Sequence, residues 1–280
     1  MMMQKLKPGR LAAAVLLSTS ICLWLGGCGL WNPNSEPEAL FKQTLGGLAG
    51  KDSFRFTGKA AIRTESNKEF RESVAYEGIL TEHDKLTIRS MLPAQPANAK
   101  KPKQVTVSNF HAAESGFRRQ DGEWVHLFSE GNGMLSTSLA RFNPLAQLDA
   151  IGRLPKQIKE ASGAARGTRV LRIELNPTAA RGWLAEQLEE EMGGIRQQAN
   201  QAAQIGSSRD KRELADAWKK GDAQMKQMLD QSEVGMVYYL TIDKRSGFPL
   251  KLSSETNIRY LNLHNQEEEE SLINDVSFIP

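Results

Sequence analysis

The sequence predicts an α+β fold: a curved antiparallel sheet of about nine to eleven strands, with helices at the start, middle and late centre of the chain. Three observations carry this. Apolar residues alternate with polar ones at period two through many short stretches. Tight-turn signals join those stretches, where a parallel sheet would need crossover helices. Glycines such as Gly58 and Gly78 fall inside strand stretches, where they mark bends or bulges that curve a sheet.

Taken in order, the folded part begins at Glu38. Leu40, Phe41, Leu45 and Leu48 follow at helical spacing, closed by Gly50. The period then drops to two: Phe54, Phe56, Ala60 and Ile62 form one face of a strand, as do Val74, Tyr76, Gly78 and Leu80, then Leu86, Ile88 and Leu92. Pro93 to Lys103 is a loop carrying Lys100, Lys101 and Lys103. Val105–Phe110 and Ala113–Arg119 are further strands. Asp121-Gly122 then predicts a hairpin, because both positions tolerate positive φ. In the next strand the alternation puts Trp124, His126 and Phe128 on one face and Val125 and Leu127 on the other. Leu135 to Ile151 reads as one or two short helices around Asn143-Pro144. Ile158–Ala161 and Thr168–Leu175 return to strand.

The pattern breaks at Asn176-Pro177, an N-cap followed by proline at the first helical position. Leu184, Leu188, Met192 and Ile195 form one apolar stripe. Ser207-x-x-Asp210 reads as a capping box for a second helix with Leu214, Trp218, Met225, Met228 and Leu229. Residues 178–231 are therefore expected as an inserted helical hairpin. Strands Val237–Asp243 and Phe248–Ile258 then flank a turn, Leu272–Ile279 closes the chain, and Glu267–Glu270 is expected between the last two strands.

Ahead of all this stands a leader. Lys5, Lys7 and Arg10 precede an apolar run from Leu11 to Leu25, too short to span a bilayer comfortably and typical of an export signal. Leu25-Gly-Gly-Cys28 resembles the lipobox of bacterial lipoproteins. The resemblance implies cleavage before Cys28 and modification of its sulfur by a diacylglycerol whose chains are of the palmitate type. The expected organisation is a signal peptide over 1–27, a lipidated tether over 28–37 and one domain over 38–280. Such a protein is held by its lipid at the outer face of the cell membrane; the simple lipobox suits a Gram-positive surface. The formal net charge of +3 misleads, since the three leader cations supply all of the excess over 33 acidic residues. A near-neutral exported part gives no electrostatic case for nucleic acid. Of the two cysteines, Cys22 is in the leader and Cys28 carries the lipid, which excludes disulfides and thiolate zinc sites from the folded part.

The helix from Glu38, the strand Ser53–Ala60, the hairpin Arg119–Trp124 and above all the strand–turn–strand Tyr239–Leu252 resemble the lipoprotein-carrier superfamily of LolA, LolB, LppX and LprG. The likeness lies in element order along nearly all of the exported chain, with little match residue by residue. It implies a strongly curved half-barrel whose concave face, covered by helices, encloses an apolar cavity for lipid or acyl chains. The long insertion at 178–231 departs from the shorter helices of relatives.

The apolar faces allow two readings. Phe54, Phe56, Tyr76, Leu86, Ile88, Trp124, Phe128, Tyr238, Leu240 and Ile242 either pack as a core or line a ligand cavity; both need the same face to be apolar. The helical pair holds eight basic and nine acidic side chains, unlike a membrane-lying helix, which is normally basic. The four histidines stand at no metal-ligand spacing, and no nucleophile elbow or phosphate loop is present. Neither a metal nor a cofactor is expected, nor a catalytic residue. The function expected is a membrane-anchored, non-catalytic surface lipoprotein that binds an apolar ligand. The alternative is a lipid-anchored scaffold with a filled core that engages a protein of the cell envelope.

Overall fold

The computed structural model describes residues 36–64, 67–91, 113–130, 138–203, 208–262 and 264–280. Ten strands form one antiparallel sheet: β1 (Phe54–Thr64), β2 (Asn67–Thr81), β3 (Lys85–Met91), β4 (Glu114–Gln120), β5 (Glu123–Glu130), β6 (Lys156–Glu160), β7 (Thr168–Leu175), β8 (Glu233–Asp243), β9 (Pro249–Leu261) and β10 (Glu267–Ile279). Their spatial order is β5-β4-β3-β2-β1-β10-β9-β8-β7-β6. The first and last strands therefore pair at the centre, with Phe56 opposite Phe278 and Ile62 opposite Leu272. Four α-helices accompany the sheet: α1 (Pro37–Ala49), α2 (Pro144–Arg153), α3 (Pro177–Ala203) and α4 (Ser208–Asp230), with a 3-10 turn at Leu139–Phe142. None among the described residues is long and apolar enough to cross a membrane.

The register carries one buried face from β3 to β7. Leu86, Leu80, Phe54 and Phe56 continue through Phe278, Val276, Leu252 and Leu240 to Leu171, all nearly inaccessible to solvent. The sheet is open but bent around this face. In a flat ten-stranded sheet the edges β5 and β6 would lie roughly 43 Å apart. Here two touching helices bridge them. Arg153 of α2 reaches Glu123 of β5 at 3.1 Å, and Leu45 of α1 packs against Gly152 of α2. At the other edge Lys156 of β6 lies 4.0 Å from Glu38 and over the Phe41 ring, both on α1.

Local chemistry sets the element ends. Asn143 caps α2 by accepting from the backbone N–H groups of Leu145 and Ala146, with Pro144 at the first position. Asn176 does the same for α3 through Thr178 N–H at 3.0 Å. Asp121 and Gly122 adopt φ of 51° and 86°, as a two-residue hairpin demands. Ser207 and Val105–Phe110 lie outside the described residues.

Three expectations change. Gly58 and Gly78 sit in unbroken register, without bulges. They are seats for aromatic rings: a Cβ on Gly58 would fall 2.1 Å from Tyr76, and one on Gly78 2.1 Å from Phe56. A real bulge occurs between Gly116 and Phe117, which pair with Phe128 and His126. It turns Phe128 onto the opposite face from His126, so strict alternation fails there. Finally, Glu267–Glu270 opens β10 instead of linking strands. Arg259 of β9 holds Glu267 at 3.1 Å, and the Tyr260 hydroxyl donates to Glu268 or Glu270, each at 2.9 Å.

The ring-over-glycine pairs predict a sharp contrast between two glycine-to-alanine changes. Gly78→Ala forces the fully buried Phe56 ring to move and should cost about 1–3 kcal/mol. Gly47→Ala, on the exposed side of α1 with open space around it, should stabilise by up to about 1 kcal/mol. Urea unfolding of the two variants beside the parent checks both signs.

Candidate functional site

The concave face is not uniformly apolar. On β9 and β10 it carries Ser254, Thr256, Asn274 and Glu270 among Leu252, Ile258, Leu272 and Val276. This polar belt lies under α3, and three cavities follow one another along that helix. The outer one, about 520 Å³, is an open groove lined by Pro177, Thr178 and Arg181 of α3 and by Val234, Ile258 and Arg259 of the sheet. The middle one, about 80 Å³, is bounded by Phe142, Leu184, Met236, Tyr238, Ile258 and Leu272, with Gln147 and Arg141 at its polar side. The inner one, also about 80 Å³, is lined by His126, Arg141, Trp183, Gln187, Glu190 and Glu191. Ile258 belongs to the first and second, Arg141 and Gln187 to the second and third. From Pro177 to Gly194 the track runs about 25 Å at the helical rise.

An ion pair closes its inner part. Arg141, on the 3-10 turn, meets Glu191 of α3 at 2.9 Å, and the Ser138 hydroxyl donates to the same carboxylate. Both partners are largely buried, so each keeps the other from being an isolated charge in a poor dielectric. Gln147 of α2 donates through Nε2 to the Arg141 carbonyl at 2.7 Å, tying the turn to the helix. Burial pushes the Tyr238 phenol up to about 12 and raises Tyr76 further; the Tyr76 hydroxyl donates to Asn274 at 2.7 Å. His126 lies 2.8 Å from Ser129 Oγ. Burial lowers its pKa, with the Glu190 charge pulling the other way.

The ten residues singled out from alternation are placed as follows. Tyr238 lines the middle cavity. Phe54, Phe56, Tyr76, Leu86, Ile88, Leu240 and Ile242 are packed solidly in the core, 0–4% exposed. Phe56 and Tyr76 meet edge to face, and Tyr76 stacks on Phe142 with ring centres 5.1 Å apart. Trp124 lines a separate space of about 30 Å³ between α1 and α2, and Phe128 is 39% exposed over Gly116. Cys28 lies outside the described residues. Sequence reasoning missed Arg141, Gln147, Gln187 and Ile258. The available signal was the run of small polar residues at alternate positions, Ser254 and Thr256, on a face otherwise apolar. No group of three or more His, Cys, Asp or Glu side chains among the described residues is arranged to hold a metal.

Comparison with known proteins gives the following. No family model matches the chain, and no curated protein matches it. Among solved structures it is similar to lipovitellin, in a structure concerned with lipid–protein interactions, at 8% identity and TM-score 0.37 over 81% of this chain. The chain spans a quarter of lipovitellin's length, 25%. It is also similar to a LolA superfamily protein from Nitrosomonas europaea, at 8% identity and TM-score 0.25, covering 87% of this chain and 93% of that one. A DUF1329 family protein from Desulfovibrio piger follows at 6% identity and TM-score 0.25, with 87% and 92% covered.

The environment of His126 sets a pH dependence. Because its folded pKa is lowered, the unfolded chain takes up a proton first as pH falls below about 6.5, and the folded state loses stability until pH passes the lowered value. Thermal midpoints between pH 7 and pH 5 should fall less steeply in His126→Gln than in the parent. Equal slopes would show that the imidazole is not held neutral.

Proposed function

We propose that this chain is a membrane-anchored bacterial surface lipoprotein, non-catalytic, that binds an apolar lipid or acyl ligand in the track beneath α3. The carrying observation is the series of three cavities along α3. The outer groove, at about 520 Å³, is the size of ordinary ligand sites. The middle and inner spaces, at about 80 Å³ each, take only two or three water-sized groups as they stand. A long chain therefore enters from the Arg181–Arg259 end and lifts α3 from β8 as it advances. Each methylene it buries contributes about 0.8 kcal/mol.

The leader supports the location. Acylation at Cys28 fixes the protein to the membrane that supplies the ligand, and the tether from Gly29 to Glu36, just ahead of α1, reaches at most about 30 Å. In cells, Cys28→Ser should move the protein from the membrane to the soluble fraction, and the intact mass of the parent should exceed the peptide mass by an acylated glyceryl group. A parent that fractionates like the variant would remove the anchor.

Ile258 stands where the outer and middle cavities meet, so Ile258→Trp should plug the track. Organic extraction and mass spectrometry of the parent, purified from a bacterial host, should recover bound lipid, and the variant should lose at least nine-tenths of it. Overpacking sets an expected cost of about 1–3 kcal/mol, checked by the thermal midpoint. Lipid-free parent that takes up no fatty acyl probe would sink the carrier reading.

The filled concave face of β1–β3 favours the second reading, a scaffold for an envelope protein. A photo-crosslinker at position 218 in intact cells separates the two. A discrete protein adduct speaks for the scaffold, and lipid adducts speak for the carrier.

A further inference from the structure

Two residues that line the middle cavity each hold a buried polar atom without a bonding partner among the described residues: Nε of Arg141 and Oε1 of Gln147. Gln147 is 7% exposed. Its orientation is set chemically, because the end facing the Arg141 carbonyl at 2.7 Å must be the NH₂ group. The free end is therefore an acceptor, and Arg141 Nε–H is a donor. Leaving both buried and unmade is costly.

The charges around this pair discriminate between partners. Arg141 is already matched by Glu191, while Glu190 lines the inner cavity and Glu270, bonded to Tyr260, lines the middle one. A carboxylate or phosphate could accept from Arg141 but offers nothing to Gln147, and it would face three glutamates. An ammonium could donate to Gln147 but would leave Arg141 Nε unmade. A hydroxyl has the chemistry to serve either atom, donating to Gln147 or accepting from Arg141, and carries no charge. We propose that the Arg141–Gln147 pair is a headgroup site for an uncharged, hydroxyl-bearing single-chain lipid, with the chain lying along Leu184, Met236, Ile258 and Leu272. The assignment rests on reading the track as a lipid site and names the class of lipid it takes.

The test uses the exported chain and three probes of matched length: monopalmitoylglycerol, palmitate and hexadecylamine, each below its micellar concentration. Quenching of tryptophan fluorescence reports binding, since Trp183 lines the inner cavity. Monopalmitoylglycerol should bind at least about tenfold more tightly than either charged probe. Gln147→Met should weaken it by about five- to tenfold and change the other two less than twofold. Should that variant not fold, the parent's ranking of the three probes decides alone. Equal affinities, or an equal loss for all three in Gln147→Met, would overturn the headgroup site and leave lipid binding standing. Failure of every probe to bind would overturn both.

Discussion

The pairing of β1 with β10 at the centre of the sheet is the constraint from which the rest follows. The two strands are the first and last of the described fold, so the halves β1–β5 and β6–β10 join only once β10 has been made. Their contact is sealed by rings. Phe56 lies over Gly78, Tyr76 over Gly58, and the Tyr76 hydroxyl crosses β1 to Asn274 of β10. Only glycine gives those rings room to lie flat on a neighbouring strand. A sheet joined through such distant segments has high contact order and folds slowly. The buried Tyr76–Asn274 bond then fixes register where slippage would turn every side chain to the wrong face.

Much of this was legible. Period-two alternation located the strands, Asn176-Pro177 located a helix start, and Asp121-Gly122 located a hairpin, whereas Asn143-Pro144, inside a stretch that reads as one or two short helices, in fact opens α2. These are local signals, set by covalent geometry and nearest neighbours. What alternation could not convey is which partner stands opposite each residue. Gly58 and Gly78 resemble bulge glycines in sequence, and only the register shows that each faces an aromatic ring. Phe128 shares parity with His126 in sequence, and a one-residue bulge set by pairing with Gly116 reverses it. The acid run Glu267–Glu270 lacks the apolar alternation of a strand, yet Arg259 and Tyr260 across the ladder neutralise and hold it.

The candidate site was less legible for the same reason. Half of the residues that apolar strength singled out, Phe54, Phe56, Tyr76, Leu86 and Ile88, lie on β1–β3, where the face is so complementary that it packs on itself. Space remains instead at β8–β10, where Ser254 and Thr256 are too small and polar to meet the helix above. Arg141 and Gln147 come from a turn and a helix far away in sequence. Nothing in their local sequence marks them as neighbours of Tyr238 and Ile258.

How firmly α3 is held decides whether a narrow track admits a long ligand. Along the hairpin, among the residues whose burial is described, only Ala180, Leu184 and Leu229 are fully buried, while Leu188, Met192, Ile195, Trp218 and Met225 are half-covered. Fully burying a large aliphatic side chain is worth about 1.5–3 kcal/mol. Lifting α3 together with its partner α4 therefore forfeits on the order of 5 kcal/mol of apolar burial from Leu184 and Leu229, with the half-covered stripe losing far less. About ten methylenes entering the same space return roughly 8 kcal/mol. The opening is thus within reach of an acyl chain and beyond that of a small solute, which buries too few groups to displace the helix. A sheet locked at its centre, with a loosely held helix over one flank, confines that opening to β8–β10 and leaves the ring-sealed half unmoved.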